Sequence, residues 1–310
     1  MLTSQRALFD VPDEVCYLNA ASWSPLPNAV VAAGREGAGL KARPWELAAD
    51  FADKQHDRAR RAAARLINAD PSDVALIPSV GYGCSTAGKL LPVARGSRVL
   101  VLEADHTAPV LEWMARAETG GFEVEAVPQP ADGDWTAPVL AAIARPDAAP
   151  LAVVSISSVH WSDGGAVALE PVAAATKAAG AAFLVDATHA VGAMAMDVKA
   201  LDPDILVFPT YKWLLGPYGR AFLYVAKRHQ DGVPLEQTML GRREVKAENE
   251  VYFKDLRYLP DARRFDMGER DHFVTMTMAS EGMELVAELG PEAIRERLQF
   301  LTRRIAAGLA

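Results

Sequence analysis

The chain has 310 residues, half of them hydrophobic, and a formal net charge of −8 at pH 7. Acidic and basic side chains are interspersed, so we expect no basic face and no nucleic-acid partner. The sequence has neither a signal-peptide pattern nor an apolar run of about 18 residues, which predicts a cytoplasmic protein without a membrane segment. The two cysteines, Cys16 and Cys84, exclude a disulfide framework and a cysteine-built zinc site. Both are expected to be small buried hydrophobic residues.

From about residue 74 onward, short β-branched runs alternate with alanine-rich stretches. The runs show little alternation between polar and apolar residues, so each is predicted to be a strand buried on both faces. The predicted strands are residues 74–78, 98–102, 123–127, 151–155, 182–186, 205–208 and 221–225. Helices are predicted at residues 110–117, 137–144 and 171–179. This succession is typical of an α/β fold with a mainly parallel seven-stranded sheet and helices on both faces.

The last two predicted strands are joined by residues 209–220, which are too few for an ordinary crossover helix. One strand of this pair is therefore expected to run antiparallel. After Met276 the apolar spacing becomes helical, and residues 291–309 are predicted to form a second long helix with Pro291 in its first turn.

Residues 83–89 read G-C-S-T-A-G-K, which matches the first part of a P-loop. The next residue is Leu90, so the hydroxyl that would hold magnesium is missing and a nucleotide triphosphatase is rejected. Residues 79–83 follow a predicted strand and open a helix, where free amides and the helix dipole favour a phosphate group. An ordinary strand-to-helix turn explains the same residues equally well. No G-x-G-x-x-G follows a predicted first strand, which argues against a dinucleotide site.

Two charged residues follow buried strands closely. Asp186 ends the run AAFLVD, and the carboxyl ends of strands are where open α/β sheets bind ligands. A strand-end aspartate is also a common turn former or helix cap, and the nearby His189 is by itself more typical of a structural residue. Lys212 stands between two aromatic residues after an apolar strand. A lysine there is costly unless its ammonium is paired or its amine takes part in chemistry.

These residues form an ordered pattern. It consists of Asp186-x-x-His189, then Thr210-Tyr211-Lys212, then Gly216-Pro217-x-Gly219. The pattern resembles that of the class V aminotransferase family of fold-type I enzymes, which use pyridoxal 5'-phosphate (PLP). The family includes cysteine desulfurases, selenocysteine lyases, kynureninases and isopenicillin N epimerase-like proteins. The likeness also includes the opening Tyr17-Leu18-Asn19-Ala20-Ala21, the turn 79–83 and His106.

The resemblance implies a domain organisation. Residues 17–289 correspond to a large PLP-binding domain, preceded by an N-terminal segment at 1–16. Residues 290–310 correspond to the first helix of a small C-terminal domain. Family members continue beyond this helix and supply from there an arginine for the substrate carboxylate and, in desulfurases, a nucleophilic cysteine. Either the chain is a fragment of a longer protein or other residues bind the carboxylate, and an uncovered amphipathic helix favours the fragment.

The resemblance also implies roles for individual residues. Lys212 would form a Schiff base with the cofactor aldehyde and later move protons at the substrate Cα. Asp186 would keep the pyridine nitrogen protonated, and His106 would stack on the ring. His189 would bond the ring oxygen. The phosphate would be bound by Tyr211 and by the amides of Val80 and Gly81.

Two positions depart from the family pattern. Ser158 stands where the family has an asparagine that touches substrate and ring oxygen, and the neighbouring His160 and Trp161 would line the substrate pocket or simply pack at a strand end. Glu269 stands at a threonine that reaches the phosphate of the neighbouring subunit. Glutamate would repel that phosphate, so either Arg270 binds it or the loop is placed differently.

The predicted function is PLP-dependent catalysis on a small-molecule amino-acid substrate, in a homodimer with shared active sites. C–S bond cleavage, as in cysteine or selenocysteine lyases, is placed ahead of transamination and epimerisation. A non-catalytic PLP-fold binding protein is the alternative from another class, and a purely structural α/β protein is a third.

Overall fold

Seven strands form one sheet in the computed structural model, which describes residues 1–245 and 255–309. They are β1 (Val74–Ile77), β2 (Arg98–Leu102), β3 (Glu123–Val127), β4 (Leu151–Ser157), β5 (Ala182–Asp186), β6 (Ile205–Pro209) and β7 (Ala221–Val225). Their order across the sheet is β1-β7-β6-β5-β4-β2-β3. All seven predicted strands are confirmed: four keep their predicted boundaries, and the other three differ by one or two residues at the carboxyl end.

Strand direction follows the expectation from loop length. β7 pairs antiparallel with β6 on one side and β1 on the other, while the other neighbouring pairs are parallel. The short connection after Pro209 forms a hairpin, because a return to the parallel direction needs a crossover of a dozen or more residues. The predicted antiparallel pair is confirmed.

Helices cover both faces of this sheet. They are α1 (Asn28–Ala42), α2 (Phe51–Leu66), α3 (Val80–Leu90), α4 (Thr107–Gly120), α5 (Thr136–Ile143), α6 (Leu169–Ala178), α7 (Val198–Leu201), α8 (Thr275–Leu289) and α9 (Pro291–Leu309). The helices predicted at 110–117, 137–144, 171–179 and 291–309 correspond to α4, α5, α6 and α9. α9 begins at Pro291 as expected, and none of its described side chains is buried.

The core has two layers because neighbouring strand residues point to opposite faces. On β2, Leu100 and Leu102 pack with residues of α2, α5, α6 and α8. Val99 and Val101 pack on the other face with residues of α3 and α4. Burial of both faces explains why most of the strands read as continuous apolar runs. β3 lies at the edge of the sheet and only its Val127 is buried, so the prediction that this strand is buried on both faces was wrong.

The direction of the strands gathers several turns at one edge of the sheet. β1, β2, β4, β5 and β6 run in the same direction, so the residues that follow their carboxyl ends lie at the same edge. These are the turns that carry Val80, His106, Ser158, His189 and Lys212. Open α/β sheets bind their ligands at this edge.

The two cysteines differ in their surroundings. Cys84 is buried in α3, as expected. Cys16 is exposed, so the prediction that it is buried was wrong. It lies in an N-terminal segment without regular strands, which runs along the surface instead of entering the core. Within residues 1–245 and 255–309, no helix combines the length and apolar character needed to cross a membrane.

Candidate active site

A cleft of about 810 Å³ lies at the carboxyl edge of the sheet. It collects residues from the turns after β2, β4, β5 and β6 and from the N-terminal segment. Its lining includes Asn19, Ala21, Asp105, His106, His160, Trp161, His189, Lys212 and Trp213. Three predicted site residues, His106, His189 and Lys212, are therefore brought together, although 106 positions separate the first from the last in the sequence.

Lys212 lies in the turn after β6. The Thr210 hydroxyl donates to the carbonyl oxygen of Pro217 at 2.7 Å and closes this turn. The Lys212 ammonium donates to the carbonyl oxygen of Ala21 at 3.0 Å. Burial lowers the pKa of Lys212, and the nearby carboxylate of Asp186 opposes that shift.

Two glycines enclose the backbone that follows Lys212. A Cβ atom on Gly282 of α8 would lie 2.4 Å from the carbonyl oxygen of Leu214. On the other side, a Cβ atom on Gly192 would lie 2.6 Å from the carbonyl oxygen of Trp213, and Gly192 has φ +99°. Both distances are below van der Waals contact, so only glycine allows these two elements to approach the turn so closely.

Asp186 ends β5 and is 2% exposed. Burial raises its pKa to about 6, because a carboxylate loses hydration in the protein interior. Thr188 acts in the opposite direction: its amide donates to Oδ1 at 2.9 Å, and its hydroxyl donates to the same oxygen. Neither bond uses Oδ2, and Asp186 is not among the described residues that line the cleft.

The two cleft histidines are held differently. His106 precedes α4, and its amide donates to Oδ1 of Asp105 at 2.7 Å. Asp105 also accepts from the amide of Ser157 at 3.0 Å and from its hydroxyl at 2.7 Å, which ties this turn to the end of β4. Burial lowers the pKa of His189 to about 4, with further contributions from the charges of Lys212 and His106. His189 is therefore neutral near pH 7.

The predicted phosphate turn is the first turn of α3. The Ser79 hydroxyl oxygen accepts from the Tyr82 amide at 3.1 Å and caps the helix. The amides of Val80 and Gly81 are among those that a helix leaves without an internal partner. A Cβ atom on Gly81 would meet only the Ser79 hydroxyl, at 3.8 Å. This end of α3 therefore has room for an anion.

The P-loop-like residues 83–89 lie within α3 and do not form a loop. Lys89 is in the last turn of the helix, and its ammonium donates to the carbonyl oxygen of Pro234 at 2.9 Å. It is thus at the wrong end of the helix for a phosphate held at the N-terminus. This geometry agrees with the rejection of a nucleotide triphosphatase.

Ser158 and Tyr211 are not among the described residues that line the cleft. The Ser158 hydroxyl and amide donate to the carbonyl oxygen of Asp186 at 3.2 and 2.9 Å. The Tyr211 ring stacks on Tyr218 with ring centres 4.0 Å apart. Their roles in cofactor binding stay predictions.

Arg270 is turned towards the protein interior. It donates to the buried carboxylate of Asp266, which also forms an ion pair with Arg60 at 2.7 Å and accepts from the amide of Leu76 at 2.9 Å. Glu269 is exposed and has φ +49°. The Arg270 segment is therefore anchored to β1 within its own chain, and a contact with a neighbouring subunit stays a prediction.

Some residues of the site were not identified from the sequence. The motif from Tyr17 to Ala21 was noticed, but it gave no sign that Ala21 accepts the Lys212 ammonium. Asp105 and Thr188 were not singled out. A hydroxyl two residues after a strand-end aspartate is a detectable signal for Thr188, because such residues commonly bond each other in turns. Asp105 bonds Ser157, 52 positions away, which no local pattern reveals.

The donors gathered here fit PLP. The cofactor needs an amine for its aldehyde, a carboxylate for its ring nitrogen and an anion site for its phosphate. Lys212, Asp186 and the first turn of α3 provide these groups at one edge of the sheet. Among residues 1–245 and 255–309, no group of three or more His, Cys, Asp or Glu residues is arranged to hold a metal ion.

Comparison with known proteins agrees with this geometry. The family model for aminotransferase class V matches residues 16–310. The chain is 28% identical to an uncharacterised aminotransferase of Bacillus subtilis over 244 residues, which cover 78% of this chain and 62% of the relative. It is 25% identical to a probable cysteine desulfurase of Pyrococcus abyssi over 309 residues, which cover 97% of this chain and 74% of the relative.

A solved structure shares the fold. The apo cysteine desulfurase from Thermococcus onnurineus NA1 superposes with a TM-score of 0.83 at 22% identity, covering 98% of this chain and 75% of that one. The fold class expected from the sequence is confirmed. The matches span 62% and 74% of the two curated relatives, so the chain corresponds to only part of their length.

Proposed function

The chain belongs to the aminotransferase class V family, and from this premise we propose that it is a PLP-dependent enzyme acting on an amino-acid substrate. The observation that carries the proposal is Lys212, a half-buried amine in a cleft with His106 and His189, close enough to Asp186 for the carboxylate to influence its pKa. C–S bond cleavage is placed first, because the similar protein of Pyrococcus abyssi is named a probable cysteine desulfurase.

When bound, PLP supplies an aldehyde that an amine can join and a ring that takes up electrons from a bond broken at the substrate Cα. Lys212 holds and moves the proton at Cα. Because burial lowers its pKa, a larger share of this amine is neutral near pH 7 than for a lysine in water. The carbonyl oxygen of Ala21 orients the amine within the cleft.

Asp186 is the partner of the ring nitrogen in this proposal. It must be ionised to hold a proton there, and a pKa of about 6 leaves roughly ten carboxylates for each carboxylic acid at pH 7. Thr188 supports the ionised form through two donors on Oδ1. Oδ2, which accepts neither of these bonds, would then hold the proton of the ring nitrogen.

His106 and His189 bind and orient the cofactor and do not take part in bond breaking. His189 is neutral near pH 7, so it can donate one hydrogen bond to the ring oxygen without adding a charge. His106 would stack on the ring. The amides of Val80 and Gly81, together with Tyr211, would bind the phosphate at the first turn of α3.

We include a homodimer with shared sites in the proposal. The Gly268-Glu269-Arg270 segment of one subunit would lie near the phosphate bound by the other, and the anchorage of Arg270 to Asp266 would fix the position of this segment. The support for this arrangement is the family membership and the exposed, left-handed backbone at Glu269, which places the loop tip at the surface.

The visible absorption spectrum of the purified protein with PLP tests the proposal. Bound cofactor should give a visible band that Lys212→Ala removes, and single amino acids should shift the band of the parent protein. Release of a thiol or sulfide identifies C–S cleavage. A colourless protein would contradict the proposal and favour a purely structural protein. A band that no amino acid changes would also contradict it and favour a non-catalytic binding protein.

Transamination is the second candidate. It is favoured by the similar Bacillus subtilis protein, which is named an aminotransferase. A requirement for an added 2-oxo acid, with no release of sulfur from any cysteine derivative, would identify this reaction. Epimerisation would appear as formation of the D enantiomer from an L-amino acid, without a 2-oxo acid and without loss of the side chain.

A further inference from the structure

A short hairpin follows β4 and borders the cleft. Val159 and Ala166 form an antiparallel bridge, and the His160 amide donates to the carbonyl oxygen of Gly165 at 2.8 Å. Inside the turn, Asp163 accepts from the Gly165 amide at 2.7 Å and from the Trp135 indole at 3.1 Å. The hairpin is therefore held by hydrogen bonds both between its two sides and within its turn.

The hairpin is attached to the turn that carries His106. A ring nitrogen of His160 lies 3.1 Å from the carbonyl oxygen of Glu103, and the Trp161 indole donates to the carbonyl oxygen of Ala104 at 2.7 Å. Ala104 has φ +53°, an unfavourable backbone conformation for alanine that these contacts help to hold. The Trp161 indole is thus fixed in orientation by its polar edge.

His160 and Trp161 differ in what surrounds their rings. His160 is completely buried and stacks on Trp135 with ring centres 4.6 Å apart, which accounts for its place in the core. Trp161 is 56% exposed although its indole is fixed, and it lines the same cleft as Lys212. The Trp161 ring therefore presents a large flat apolar surface to the cleft, and removing such a surface from water is favourable.

We propose that Trp161 is the wall of the cleft against which the substrate side chain packs, and that the substrate is an amino acid with an aromatic or other flat apolar group. This inference rests on the proposed function. In a C–S cleavage reaction the flat group is carried on the sulfur of a cysteine derivative. Trp161 then determines specificity through its ring face, while its indole N–H positions the His106 turn.

The size of the effect follows from the area involved. A tryptophan offers about 150–250 Å² of surface, so covering its exposed half removes on the order of 100 Å² from water. At the usual gain per unit of apolar area, this corresponds to a preference of about tenfold or more for a flat side chain over a methyl group. An amino acid with an aromatic group should therefore bind at least about ten times more tightly than the same amino acid with a methyl group in that place.

Two ligand pairs test the proposal on the PLP-loaded protein. L-phenylalanine is compared with L-alanine, and S-benzyl-L-cysteine with S-methyl-L-cysteine, by titration of the cofactor absorbance. The parent should prefer the aromatic member of each pair, and Trp161→Ala should bring the affinity ratio to about one. Trp161→Phe, which keeps a ring but loses the N–H, should retain most of the preference.

A matched control is Trp45→Ala. Trp45 is 77% exposed and does not line the cleft, so its removal should leave the affinity ratio unchanged. A second measurement needs no cofactor: calorimetry compares 3-phenylpropionate with propionate on the parent and on Trp161→Ala. Failure of the proposed function would show as a missing cofactor band, while the calorimetric preference would still decide the role of Trp161.

Three results would overturn the inference. An equal loss of affinity for both members of a pair in Trp161→Ala would assign Trp161 to the positioning of the His106 turn alone. A change in oligomeric mass in that variant would mean that a second subunit covers the indole. If the parent showed no aromatic preference in either the spectral or the calorimetric titrations, the proposed class of substrate would be wrong.

Discussion

Thr188 donates twice to a single oxygen of Asp186. Its amide lies 2.9 Å from Oδ1, and its hydroxyl bonds the same atom, while burial raises the pKa of this carboxyl to about 6. The two donors favour the ionised form that desolvation disfavours. Thr188 is therefore a positioning residue that favours the charged form of Asp186 and leaves Oδ2 without a hydrogen bond from its own side chain or amide.

The first prediction follows from this balance. Activity that needs ionised Asp186 is lost as the pH falls through its pKa, and loss of the Thr188 hydroxyl raises that pKa. A hydrogen bond to a charged group contributes about 1.5–3 kcal/mol, which corresponds to roughly one or two pH units. Thr188→Val should move the acid limb of kcat upward by about that amount.

Thr188→Ser is the matched control because it restores a hydroxyl, and its acid limb should return to that of the parent. A positive charge on a bound ring nitrogen lowers the pKa in all variants, so the difference between them is the quantity to compare. If the acid limb does not move in Thr188→Val, the titration that causes this limb belongs to a group other than Asp186.

The second prediction concerns Asp186 itself. Asp186→Asn should still bind PLP but should lower kcat far more than the cofactor affinity, because its interaction with the ring strengthens as negative charge develops there. Equilibrium dialysis gives the affinity and single-turnover kinetics gives the rate. Parent-like activity in Asp186→Asn would mean that another group protonates the ring nitrogen.

The third prediction assigns the covalent attachment of the cofactor. Borohydride reduction of the loaded protein, followed by peptide mapping, should place the pyridoxyl group on Lys212. Lys177 and Lys199 are internal controls, since the first pairs with Asp202 at 2.7 Å and the second donates to Asn68 at 3.2 Å. A pyridoxyl group found on either of them would refute the assignment.

The fourth prediction is that neither cysteine takes sulfur from the substrate. Cys84 is buried, and burial raises the pKa of its thiol well above the usual value, so little thiolate forms. Cys16 is exposed but is not among the described residues around the cleft. The Cys16→Ala, Cys84→Ala double variant should keep the parent's activity. A persulfide on either cysteine that is lost together with turnover when that cysteine is replaced by alanine would contradict this prediction.

The fifth prediction tests the shared site. Mixed dimers of Lys212→Ala and Arg270→Ala subunits should recover part of the activity, because one of their two sites would combine an intact Lys212 with an intact Arg270. Arg270 also pairs with buried Asp266, so each variant alone must first be shown to remain folded by its thermal unfolding. No recovery with folded subunits would remove the support for the arrangement.

The sequence predicted the strands well because most of them are buried on both faces. The runs that became β2, β3, β5 and β7 have the predicted bounds. Asp186 and Lys212 were identifiable because Asp186 ends a buried strand and Lys212 follows another closely. Parallel strands then bring such residues to the same edge of the sheet whatever their separation in the chain.

Features that depend on distant contacts were not predicted. α1 contains three glycines, which lower its helix propensity, and it is held by packing against α8. The exposure of Cys16 depends on a segment without regular strands, which an apolar run does not reveal. The attachment of Trp161 to Ala104 joins residues 57 positions apart.

The enclosure of Leu214 and Trp213 by Gly282 and Gly192 affects how inactive variants should be interpreted. An added methyl group at either glycine would press on the backbone next to Lys212 and displace the amine without altering any reacting group. In a random mutagenesis screen such substitutions would therefore give the kinetic signature of a damaged catalytic residue. Gly282 lies in α8, so alanine there has a favourable helix propensity, and its harm would be purely steric.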